Sequence, residues 1–102
     1  MRMRKKRNLI PRMERCAALL VREPWLLRGR WRDEFPGYKE LHLEIGCGRG
    51  RFTVETAKLH PDVFFVALER VADAMIIGLE KAMAEGLRNI RFMTQDASKL
   101  LA

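Results

Sequence analysis

The clearest pattern in the chain is the run Val63 to Leu68, six apolar residues in succession closed by Glu69. A run this short with no polar alternation predicts a strand buried on both faces, as in a parallel sheet. Residues 72–85 repeat at helical spacing instead. Ala72, Met75, Ile76, Leu79, Ala82 and Met83 fall on one stripe, and Gly86 with Leu87 is placed to end the helix in a left-handed cap. Gly78 inside that helix costs about 1 kcal/mol against alanine, which points to close packing there. Residues 89–94 alternate, with Ile90 and Phe92 on one side and Arg91 and Met93 on the other, as in a strand nearer a sheet edge. Upstream, residues 41–46 read as a strand. A short helix starting near Gly50 follows, with Phe52, Thr56 and Leu59 on its apolar side, flanked by Val54 and Ala57, and Pro61 stops it.

Before this block the pattern is weaker. Residues 1–10 are basic and aperiodic. From Pro11, the spacing of Met13, Cys16, Ala17, Leu20 and Val21 predicts a helix that Glu23-Pro24 ends. Trp25 and Trp31 lie among arginines. Their large apolar area suits docking this arm on the body, with stacking on bases as the alternative. Phe35-Pro36-Gly37-Tyr38 is a turn into the first strand.

The order strand–helix–strand–helix–strand, joined by right-handed crossovers, predicts half of a doubly wound α/β sheet. Three parallel strands with two faces to cover make a thin core. The expectation is therefore an N-terminal fragment of a longer protein, with an arm at 1–38 and an incomplete nucleotide-binding domain at 39–102.

Composition adds two constraints. With 48% hydrophobic and 32% charged residues the chain is globular in character, and no apolar run reaches the ~20 residues of a membrane span. No signal-peptide core follows the basic start, so a cytoplasmic protein without a membrane partner is expected. Cys16 and Cys47 form no C-x-x-C pair, and no metal site is expected. Charge is uneven: residues 1–32 carry eleven Lys/Arg against two Glu, a net of +9, whereas residues 33–102 carry −2. A basic arm on a mildly acidic body suits a polyanion such as nucleic acid.

The candidate chemistry lies at the strand ends. Glycines alternate through Gly46-Cys47-Gly48-Arg49-Gly50 directly after the first strand. Three acids fall at equivalent places: Glu44 near the end of strand one, Glu69 at the end of strand two and Asp96 just past strand three. Ligands of parallel sheets bind beyond these carboxyl ends. Glu69 suits a ribose diol as a bidentate acceptor, Asp96 the amine of an adenine, and Glu44 a cationic ligand group. A dinucleotide calls for G-x-G-x-x-G and a cradle for pyrophosphate, but position 51 is Arg and Glu44 would repel the phosphates. A sulfonium cofactor, S-adenosyl-L-methionine, fits the charge better. An NAD-binding half and a non-catalytic RNA-binding module are the alternatives.

These residues also resemble a known family. Glu44-Ile45-Gly46-Cys47-Gly48-Arg49-Gly50 looks like the first motif of class I methyltransferases. Adding Ala57-Lys58-Leu59-His60-Pro61, Ala67-Leu68-Glu69-Arg70, Gly86-Leu87-Arg88-Asn89-Ile90-Arg91-Phe92 and Asp96-Ala97, the chain resembles the bacterial tRNA (guanine-N7-)-methyltransferases along essentially its whole length. The resemblance implies a Rossmann-like fold and a tRNA partner. It implies S-adenosyl-L-methionine held by Glu44, Glu69 and Asp96, with Gly46 and Gly48 shaping the turn. The family's Phe-Pro-Asp-Pro-Trp segment has no counterpart in residues 1–102, so catalytic residues are expected beyond Ala102. His42 and His60 are read as structural.

Overall fold

The computed structural model describes residues 8–21, 23, 27 and 29–94. The expected start of the arm, Pro24 and Trp25, Asp96 and the helix anticipated from Lys99 lie outside the described residues. Strands β1 (Glu40–Ile45), β2 (Val63–Leu68) and β3 (Ile90–Met93) form one parallel sheet in the order β1-β2-β3. Glu40 pairs with Val63 and Ile45 with Leu68 across one seam, and Phe65 pairs with Ile90 across the other. Helix α3 (Arg51–Leu59) links β1 to β2, and α4 (Ala72–Ala84) links β2 to β3. Two crossovers of one hand, advancing in one direction, put both helices on the same face. Val54, Ala57, Met75, Ile76, Leu79 and Ala82 accordingly form one buried cluster with Phe65, Ala67, Ile90 and Phe92.

All of β2 is buried, as its unbroken apolar run predicts. Phe64, Val66 and Leu68 point to the other face, where chain N-terminal to β1 covers them. Val21, Trp31, Phe35, Tyr38 and Leu41 pack there, with Trp31 opening a one-turn helix, α2 (Trp31–Glu34). Phe35 stacks on Phe64 at 4.3 Å, and the Arg91 guanidinium lies over the Phe35 ring at 5.1 Å. Trp31 therefore docks the arm on the body.

The arm departs from its expected single helix. Helix α1 (Leu9–Arg15) starts two residues before Pro11, which is tolerated in a first turn because the proline's missing N–H would have no helical partner there. At Cys16 the backbone leaves the helix, Ala17–Leu19 makes one 3₁₀ turn, and Leu20 is extended. The cause is the outer edge of β3, which offers unpaired backbone groups. Leu20 bridges Phe92 in parallel, and the Val21 N–H donates to the Phe92 carbonyl at 2.8 Å. Cys16 and Leu19 are buried in the helix-face cluster, and Arg12 Nε donates to Glu80 of α4 at 2.9 Å.

Helix α3 also differs in phase. Its buried residues are Thr53, Val54 and Ala57, while Phe52 is 75% and Leu59 76% exposed. Small side chains fill this seam because α3 enters it from Gly50, whose backbone runs close against α4. A Cβ at Gly50 would sit 3.2 Å from Gly78 Cα. Helix α4 keeps its expected stripe and its cap. Gly86 has φ +67°, and the Leu87 N–H donates to Ala82 O at 3.1 Å. Asn89, at the head of β3, is buried. Its side-chain amide donates to the carbonyls of Ala57, His60 and Val63, tying the α3–β2 connection to β3. Among the described residues no helix is long and apolar enough to cross a membrane.

Candidate functional site

The turn after β1 is shaped by backbone conformation and by β2. Gly46, Gly48 and Gly50 have φ of +72°, +57° and +70°, values that a side chain with a Cβ disfavours. The Gly46 and Cys47 N–H groups both donate to Leu68 O, at 2.8 and 3.1 Å, which fixes the start of the turn on the end of β2. The Gly50 N–H closes it on Cys47 O, and α3 begins. Among the described residues, and chain neighbours apart, no atom lies within 4 Å of where a Cβ on Gly46 or Gly48 would stand. On the far side the turn is packed hard. A Cβ on Gly78 would lie 2.5 Å from Arg49 O and 2.9 Å from Gly50 Cα. Gly78 is thus the contact that lets α4 support the turn from behind, a role its mid-helix position signalled.

Glu69 is held on every side. Its own N–H donates to Met93 O at 3.0 Å, so its backbone is anchored on β3. One carboxylate oxygen accepts from the Gly48 N–H at 2.8 Å, the other from the Val71 N–H at 3.0 Å. The side chain therefore lies against the glycine turn across 21 residues of sequence. Glu44 sits in β1 opposite Ala67 and is half-buried. Between the two acids lies Cys47. Burial, then the charges of Glu69 and Glu44, push its thiol up to about 12. At neutral pH Cys47 is an inert thiol facing two carboxylates. The structure thus brings together Glu44, Glu69, Gly46 and Gly48, while Asp96 lies outside the described residues.

This donor arrangement limits what can bind. A pyrophosphate cradle needs free backbone N–H groups in the turn. Among the described residues, the N–H groups of residues 46, 47, 48 and 50 already donate to protein oxygens, leaving Arg49 and the first turn of α3 as the donors of this segment without an acceptor. The carboxylate of Glu69, by contrast, has roughly four acceptor sites, of which the two N–H bonds use two. What remains is an acceptor-rich, negatively charged ledge that suits hydroxyl donors and cations. Spacing along the chain gave no sign of the Gly48–Glu69 bond or of the Val71 N–H. Among the described residues no group of His, Cys, Asp and Glu is arranged to hold a metal ion. A cavity of about 300 Å³ lies at the seam of arm and β3, lined by Ile10, Met13, Glu14, Leu20, Val21 and Thr94, none of them a residue of the turn.

Comparison with known proteins agrees with this architecture. Residues 38–102 match the family model described as "Putative methyltransferase", and the chain belongs to that methyltransferase family. Among curated proteins, it is 40% identical over 83 residues to the tRNA (guanine-N(7)-)-methyltransferase of Geobacillus kaustophilus (strain HTA426), a match covering 81% of this chain and 38% of that protein. It is 31% identical over 100 residues to the protein of the same name from Bacillus cytotoxicus (strain DSM 22905 / CIP 110041 / 391-98 / NVH 391-98), covering 98% of this chain and 46% of that one. The chain spans less than half the length of these relatives. Among solved structures it superposes on the antibiotic-resistance methyltransferase Kmr with a TM-score of 0.55 at 23% identity, over 68% of this chain and 37% of that one. It superposes on coclaurine N-methyltransferase, bound to N-methylheliamine and SAH, with a TM-score of 0.52 at 16% identity, over 72% and 22%. The fold is a partial Rossmann-like α/β fold, shared with these two structures.

Proposed function

We propose that this chain carries the cofactor-binding portion of an S-adenosyl-L-methionine-dependent tRNA (guanine-N7-)-methyltransferase acting in the cytoplasm. The relatives' names support the activity. The observation that carries the cofactor is the Glu69 carboxylate, fixed on the glycine turn by the Gly48 and Val71 N–H groups at 2.8 and 3.0 Å. The two N–H bonds use two of its roughly four acceptor sites, and the remaining two suit the two hydroxyls of a ribose. In this reading Gly46 and Gly48 shape the turn and Glu44 faces the cationic end of the cofactor. Asp96 takes the adenine amine. Residues 39–102 belong to an incomplete cofactor domain, and residues 1–38 are its basic N-terminal arm.

Bound S-adenosyl-L-methionine would supply a methyl carbon made electrophilic by its sulfonium. Guanine N7 carries a lone pair and no proton, so the acceptor needs no general base. The protein's task is to align N7 with the methyl carbon and to match charge as the positive charge passes to the base. Carboxylates fixed by backbone donors serve this because they need not reorganise. Titration calorimetry with S-adenosylhomocysteine tests the assignment. Glu69→Ala should weaken binding about ten- to a hundredfold, the usual worth of hydrogen bonds to a charged group. Unchanged affinity would remove Glu69 from the site. Stabilisation by NADH without any by S-adenosylhomocysteine would replace the methyltransferase reading with a dinucleotide one. Methyl transfer itself is read by nucleoside mass spectrometry of tRNA for N7-methylguanosine.

A further inference from the structure

We infer that Arg49, Arg51 and Arg70 form a phosphate-contact rim that receives the RNA backbone beside the cofactor ledge; this rests on the function proposed above. Two segments locked to each other carry the three residues. Arg49 follows Gly48 and Arg70 follows Glu69, and the Gly48–Glu69 hydrogen bond of 2.8 Å holds those segments together. Arg51 opens α3 one residue beyond the turn. All three side chains are exposed.

Their electrostatic setting differs from that of the helical flank. There, three cations have carboxylate partners: Lys58 with Glu85 at 3.1 Å, Lys81 with Glu55 at 2.7 Å, and Arg12 with Glu80. On the rim, Arg49, Arg51 and Arg70 make no ion pair or hydrogen bond among the described residues. Acids are close in sequence, but they do not neutralise the rim. Glu44 and Glu69 are half-buried, and both oxygens of Glu69 accept backbone N–H bonds. Charge is therefore layered by exposure, since the acids are half-buried and the arginines exposed. A cationic cofactor is drawn to the inner layer and a polyanionic acceptor to the outer one. Because the acceptor base must come within reacting distance of the cofactor, its flanking phosphates must pass over this same end of the sheet. Guanidinium forks suit phosphate oxygens, which they can grip through two parallel bonds.

The test is the triple variant Arg49→Gln/Arg51→Gln/Arg70→Gln in the full chain, assayed with tRNA across a salt series and with S-adenosylhomocysteine. Each phosphate contact contributes about 0.7–0.9 to the slope of log affinity against log salt. The variant should therefore lose roughly two units of slope and bind tRNA at least tenfold more weakly at low salt, while S-adenosylhomocysteine affinity stays within twofold. The corresponding triple lysine variant should keep the slope, since it keeps the charges. An unchanged slope in the glutamine variant, a reduced slope in the lysine variant, or joint loss of both ligands in the glutamine variant would each overturn the rim. Loss of binding to an acidic protein in place of tRNA would also overturn it. Wild-type protein that binds neither ligand would overturn the methyltransferase reading itself and this inference with it.

Discussion

The two edges of the sheet differ more than their sequences suggest. Strand β3 is short and carries an arginine, yet Ile90, Phe92 and Met93 are fully buried. Strand β1 is longer, yet Leu43 and Ile45 stand 50% and 59% exposed. Both flank the same fully buried β2. What separates them is cover. The arm lays Leu20 and Val21 along the outer edge of β3, and α4 and α1 close the layer above it. Among the described residues nothing pairs with the outer edge of β1. Burial here is a property of neighbours rather than of residue type. The candidate site lies toward the open side, with Glu44 in β1 and the glycine turn at its end.

The largest expected effect follows from this contrast. Phe92→Ala on the sealed side should cost about 3–5 kcal/mol in urea unfolding, the usual range for a buried phenylalanine. Ile45→Ser on the open side should change stability by no more than about 0.5 kcal/mol. Comparable losses at the two sites would break the comparison. A middle-sized effect belongs to Gly78, where the sealed side meets the site. A methyl group there collides with the Arg49 carbonyl and Gly50 Cα, which are backbone and cannot swing away. Gly78→Ala should cost about 1–3 kcal/mol and should weaken S-adenosylhomocysteine binding as well. Stability lost with affinity intact would mean that the turn tolerates displacement.

The smallest effect tests the α1–α4 tie. Arg12, chiefly through its hydrogen bond, holds the Glu80 carboxyl below the usual carboxylate range. A lowered folded-state pKa gives stability that is present above the unfolded-state value, ordinarily about 4.3, and is lost as pH falls through the folded one. Because the pair is partly exposed, its worth is modest. Glu80→Gln should lower Tm by about 1–4 °C at pH 7, and the gap should close as pH falls through the folded-state value. A gap that persists in acid would place the contribution in packing rather than charge.

Much of the architecture was legible because it rests on local rules. The unbroken run Val63–Leu68 requires cover on both faces wherever it lies, and the Ala72–Ala84 stripe ending in Gly86 specifies its own helix and cap. Strand ends followed by acids and glycines fix which end of the sheet can bind a ligand, so Glu44, Glu69, Gly46 and Gly48 could be singled out before any coordinates. Other features depended on partners far along the chain. The arm breaks its helix at Cys16 because the β3 edge, some 70 residues later, offers hydrogen bonds to an extended segment. The phase of α3 is set by the close approach of Gly50 to Gly78, which turns Phe52 and Leu59 outward. Asn89 became a tie because three carbonyls happen to converge on its amide. The sequence alone thus determined the three strands, the two crossover helices and their order, since periodicity and backbone preference act within a few residues. Only the tertiary structure decided that the Glu69 carboxylate takes up the Gly48 N–H. That bond joins groups 21 residues apart and exists only once β1 and β2 have paired in register.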